Sequence, residues 1–149
     1  MTNETQGKPC CRKKIQCDCL DAAQQFFRTA DHLNLATEMY PKIALLAFSC
    51  ELFIKAILLC TIEMKDARGH DLKSLFEMLP DETKVMFLSK WSSKYEKNLK
   101  EVLNENSRVF EQWRYAYEEE KIPAEVTDLE NLAIFLKKNA ESTTMLCLY

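Results

Sequence analysis

At 149 residues the chain can bury one core but is short for two, and its two glycines and four prolines are too few for an all-β or glycine-looped α/β protein. A formal charge of −3 with 29% charged residues excludes a globally basic nucleic-acid binder, so any such binding has to come from a local patch. The composition is that of an all-α protein, and its periodic segments predict five or six helices and no sheet.

Residues 1–16 carry Gly7, Pro9 and the basic run Arg12, Lys13 and Lys14 without apolar periodicity. They read as a flexible tail, with residues 17–149 as the single domain. No apolar run follows the N-terminal charges, so the expectation is a cytoplasmic protein without a secretory signal. Seven cysteines, an odd number, then read as reduced thiols. Cys10, Cys11, Cys17 and Cys19 cluster but lack the Cys-x-x-Cys spacing of common zinc sites, so neither metal nor cofactor is expected. Cys50, Cys60 and Cys147 read as small core residues.

From about Asp18, Leu20, Ala23, Phe27 and Ala30 recur at three- and four-residue steps, predicting an amphipathic helix that ends near Thr37. The next helix is predicted from Pro41, a residue suited to a first turn, to about Ile62. It is apolar on nearly every side and therefore central. Glu51 and Lys55 interrupt it, which argues against a membrane span. On the wheel they share one narrow strip, either as an i, i+4 ion pair at the core edge or as a polar pair in an interface; the cost of burying two charges favours the interface.

Gly69 supplies the following turn, with His70 as a structural residue in it and Asp71 as the N-cap of "LKSLFEML". Pro80, Asp81 and Glu82 open another helix. Ser93 with Glu96 forms a capping box before a long helix from about Lys94 toward Glu120, with a break expected near "NENS". On its later part Val109, Phe110, Trp113, Ala116 and Tyr117 share one face with Leu99, Val102 and Leu103 upstream. Arg108 and Tyr115 stand opposite, and Arg114 with Glu118 forms an i, i+4 pair on a flank. By pattern alone this is a packed helix with solvated charges. Thr127 with Glu130 caps the last helix, whose core face is Leu129, Leu132, Phe135 and Leu136. His32 is a lone histidine without an assigned role.

Three segments, "YPKIALLAFSCELFIKAILL", "GHDLKSLFEMLP" and "FEQWRYAYEE", resemble in that order the long central helix, the Gly-His-Asp-Leu turn and the later helix of HEPN domains, the higher eukaryotes and prokaryotes nucleotide-binding superfamily. The resemblance covers roughly residues 20–140. It implies an up-and-down helical bundle that forms a homodimer, often with a cleft across the two-fold axis. In catalytic members that cleft is a metal-independent ribonuclease site built on an Arg with a His a few positions on. Arg108 matches the Arg, but the candidate His positions hold Trp113, Arg114 and Tyr115. An arginine can hold a phosphate but cannot act as a general base at neutral pH. The expectation is a non-catalytic interaction or regulatory module whose cleft is lined by Arg108, Arg114, Tyr115 and Glu118, with RNA, a nucleotide or another protein as partner. The resemblance suggests a bacterial stress or defence setting. The alternative is a divergent ribonuclease in which Arg108 and Arg114 hold phosphate and Tyr115, or a residue from another helix, moves the proton.

Overall fold

The computed structural model describes residues 10–63, 65–109 and 126–148. Among them are six helices and no strand: α1 (Cys10–His32), α2 (Met39–Leu58), α3 (Leu72–Glu77), α4 (Asp81–Ser92), α5 (Leu99–Glu105) and α6 (Val126–Leu148). None of the described helices is long and apolar enough to cross a membrane.

α2 is the axis of the bundle. Thirteen of its 20 residues are buried, as its lack of a wet face requires, and Pro41 stands in its first turn. α1 folds back along it as an antiparallel hairpin, because contacts run in opposite order along the two helices. Gln16 reaches Ala56, Cys19 reaches Leu52, Phe26 stacks on Phe48 at 5.5 Å, and Lys42 reaches Ala30. The expected stripe of α1 is the face used, with Ala23 and Ala30 fully buried and Leu20 and Phe27 packed against the core. α6 closes the other side through Leu129, Leu132, Phe135 and Leu136, as its periodicity predicts. It also meets α1, where Gln24 donates to Glu141 at 3.1 Å.

Among the described residues α1 runs from Cys10, so it includes residues 10–16 of the segment expected as a tail. Gln16 is 2% exposed, and its Nε2 donates to Ala56 O at 2.9 Å and meets Cys60 Sγ. A polar side chain buried through its hydrogen bonds leaves no mark on apolar periodicity. Gln16→Ala is expected to cost about 1–2 kcal/mol, since Ala56 O loses its partner inside the hairpin. A lower urea midpoint with an unchanged slope is the expected reading; an unchanged midpoint would return the boundary to residue 17.

The far end of α1 is tied by a lysine. Lys42, 7% exposed, donates to Ala30 O at 3.1 Å and Leu33 O at 3.3 Å, and pairs with Glu130 of α6 at 3.3 Å. An ammonium on the last carbonyls of a helix offsets its negative end, and α1 stops at His32 rather than near Thr37. Asn34 then turns the chain, accepting from Ala36 N while its own N–H donates to Glu38.

The connection between α4 and α5 departs from the expected capping box at Ser93 and Glu96. Ser93 is the C-cap of α4, its hydroxyl donating back to Lys90 O at 2.8 Å, and the next helix is capped instead by Asn98, which accepts from Lys100 N at 2.8 Å. Trp91 holds the turn between them: its indole Nε1–H donates to Lys97 O at 2.7 Å. Lys97 in turn pairs with Glu105 and with Asp128 of α6, and these two acceptors, Asp128 first, raise its affinity for the proton. The expected long helix breaks at "NENS", where Asn106 caps α5 and its buried side chain donates to Val102 O. Leu99, Val102, Leu103 and Val109 are core, as expected. Phe110, Trp113, Ala116 and Tyr117 lie outside the described residues. α6 already contains Val126, so Thr127 sits inside the helix rather than capping it.

Candidate functional site

The most concentrated chemistry among the described residues lies beside the end of α2. Gly69 has φ of 104°, a left-handed conformation that a residue without Cβ adopts readily, and this lets the chain reverse after α2. Asp71 then caps α3, accepting from Ser74 N at 3.0 Å, as its position before "LKSLFEML" predicts.

Between them His70 returns to α2. Its Nδ1 lies 3.0 Å and 3.1 Å from the two carboxylate oxygens of Glu51, and Lys55 Nζ lies 2.7 Å from Oε1 of the same carboxylate. Glu51 is therefore the hub of a three-residue cluster. Its side chain is 6% exposed, that of Lys55 12% and that of His70 56%. The strip on α2 is thus an intramolecular ion pair with a third polar partner. The argument that placed Glu51 and Lys55 in an interface rested on charges lacking such a partner, and His70, nineteen positions away, supplies it.

The cluster constrains the imidazole. A carboxylate accepts only, so Nδ1 carries the proton it shares with Glu51, and Nε2 is the basic nitrogen of the neutral ring. A carboxylate-oriented histidine on a half-exposed turn has the form of a general acid or base. The same bond ties the turn to α2 and gives His70 a defined tautomer.

A single backbone bond links this turn to the Arg108 segment. Leu72 N donates to Ser107 O at 3.2 Å, so the start of α3 is fastened to the residue before Arg108, which is exposed. The structure therefore brings Glu51, Lys55, Gly69, His70 and Asp71 together and ties Arg108 to the same turn. Arg114, Tyr115 and Glu118 lie outside the described residues.

The nearby thiols are quiet. Cys19 Sγ donates to Leu52 O at 3.3 Å, and burial, partly offset by Lys55, pushes its pKa up to about 11. Cys50 is fully buried and shifted upward for the same reason, which suits the core role expected of it. Cys60 is only half-buried. Cys10 and Cys11 belong to the first turn of α1. Among the described residues no three His, Cys, Asp or Glu side chains form a group that could hold a metal ion. His32 is exposed, its Nδ1 donating to Arg28 O at 2.7 Å.

Sequence reasoning missed two partners. Glu51–His70 joins residues from separate elements, and the only local sign was a charge pair on an otherwise apolar helix. Lys42 gave the same sign, a charge at a position the wheel turns inward. No protein-family model, curated protein or solved structure matches the chain.

Proposed function

We propose that the chain is a HEPN-like helical domain that works as a homodimeric, non-catalytic interaction or regulatory module in the cytoplasm, in a stress or defence setting. The observation that carries this reading is the convergence at the end of α2. Two segments that carry the resemblance, the central helix and the Gly-His-Asp-Leu turn, meet through Glu51 and His70, and the turn is fastened at Leu72 to Ser107, which leads into the third. The buried carboxylate at the hub favours a structural clamp, because a buried charge held by two donors fixes the relative position of the elements that carry it. The dimer rests on the resemblance and no longer on Glu51 and Lys55.

One observation favours the second reading, a divergent ribonuclease or RNA-binding cleft. Glu51 orients His70 as a proton carrier would be oriented, on the turn that is tied to Arg108. The two readings separate in one experiment. Purified protein is sized by light scattering, then incubated with single-stranded RNA in chelator beside Arg108→Ala and His70→Ala. A dimer with no cleavage over hours is the expected result. Cleavage abolished by either substitution replaces the first reading with the second, and a strict monomer removes the dimer from both.

A further inference from the structure

Three surface grooves of similar size differ sharply in charge. One of about 300 Å³ between α3 and α5 is lined by Lys73 and Lys100 against Glu77 and Glu101, a balanced set. A second, of about 350 Å³ between α1 and α6, carries Asp21 and Glu141 without a cation. A third, of about 320 Å³, lies where the end of α4 meets α6 and is lined by Lys90, Lys94 and Lys138 with no carboxylate.

Six of the other described lysines are neutralised within the chain, whereas Lys73 and Lys100, like these three, pair with no carboxylate among the described residues. Lys42, Lys55, Lys65, Lys84, Lys97 and Lys137 each pair with a carboxylate within the chain. Lys90, Lys94 and Lys138 have no such pair among the described residues, although the protein is acidic overall. Two of them are held in place. Lys90 Nζ donates to Oδ1 of Asn139 at 3.3 Å, and Asn139, 6% exposed, is itself fixed by a bond from Nδ2 to Phe135 O at 2.8 Å. Lys94 Nζ lies 5.4 Å from the centroid of the Tyr95 ring. The same groove includes Phe135, 8% exposed, and Ile134, 45% exposed, one of two large apolar side chains that α6 leaves exposed among the described residues, the other being Met145.

We propose that this groove binds a small phosphorylated molecule, its phosphate among Lys90, Lys94 and Lys138 and a planar apolar part against Ile134 and Phe135. A phosphate monoester carries close to two negative charges at neutral pH and offers three strong acceptor oxygens. A groove lined by three lysines and no carboxylate matches it in charge. Lysines near a helix C-terminus also arise simply to offset the dipole. That account explains Lys90 and does not extend to Lys138, mid-way along α6. The groove does not involve Arg108 or His70, so this inference stands apart from the reading above.

The test uses the full chain titrated with inorganic phosphate and with phenyl phosphate, followed by calorimetry and by amide chemical shifts. Both ligands should bind, with shifts centred on Lys94 and Asn139 and phenyl phosphate the tighter. Lys94→Ala and Lys138→Ala should each weaken both ligands about tenfold, the value of a charge-assisted contact. Ile134→Ser should abolish the advantage of phenyl phosphate and leave inorganic phosphate unchanged. Lys73→Ala, in the balanced groove, should change nothing. All four side chains are exposed, so the variants should fold, and circular dichroism checks this. No binding of either ligand, or equal weakening by Lys73→Ala, overturns the proposal.

Discussion

Trp91→Ala is expected to remove about 3–5 kcal/mol of stability, the range for truncating a buried aromatic in a close-packed core. Trp91 is 2% exposed and stands where α4, α5 and α6 meet. Its ring packs edge-on against Phe135 at 5.2 Å and an interplanar angle of 88°, and lies 4.2 Å from the Tyr95 ring. Phe87 continues the same aromatic layer, 5.7 Å from Phe135 and 6.5 Å from Phe76. Removing the indole empties the middle of this layer and frees Lys97 O, so the turn into α5 loses its anchor as well. The two losses separate in Trp91→Phe, which keeps most of the packing and gives up only the hydrogen bond; about 1–2 kcal/mol is expected there. In a chain of this length each kcal/mol lowers the melting temperature by roughly 2–4 °C, so the alanine variant should melt about 10 °C lower. Urea unfolding of the three proteins measures this. A loss below about 1 kcal/mol for Trp91→Ala would mean that α4 is not fastened to the bundle through this residue.

The helices and their apolar faces were legible because burial on a helix repeats every three to four residues, as it does at Leu129, Leu132, Phe135 and Leu136 of α6. Asp71 was legible as well, since a cap acts on N–H groups only two or three residues ahead. Ser93 shows where local reading fails. A serine three residues before a glutamate can cap a helix or close one, and here a distant fact decides: Trp91 must be buried against α6, so the chain cannot restart until it has passed Lys97. Gln16 was missed for a different reason. It is core by hydrogen bonding, and polar residues carry no weight in an apolar pattern. The candidate site was half legible. Glu51 and Lys55 stood out as charges on an apolar helix, but whether a partner from another copy or from this chain satisfies them depends on how the turn at Gly69 folds. The lysine groove needed α4 and α6 side by side; sequence gives Lys90 and Lys94 one face of a helix but says nothing of Lys138 joining them.

The Glu51 cluster makes an asymmetric prediction. Lys55→Met is expected to cost about 3–5 kcal/mol, because it leaves a carboxylate buried without its closest counter-charge. Glu51 has no escape: its stem is short, and its side chain is enclosed between α2 and the returning turn. Glu51→Leu should cost less, about 1–3 kcal/mol. The orphaned Lys55 ammonium rides on a four-carbon stem that can extend to water, and His70 is already half exposed. The double variant Glu51→Leu with Lys55→Met should then be more stable than Lys55→Met alone, since it removes the stranded charge and fills the space with apolar atoms. A cycle built from these variants in urea at neutral pH should therefore show a coupling of about 1–3 kcal/mol, as residues in one network do. Two additive single losses would dissolve the cluster as a unit. The clamp at the centre of the proposed function would go with it, and Glu51 would become an ordinary edge residue of α2.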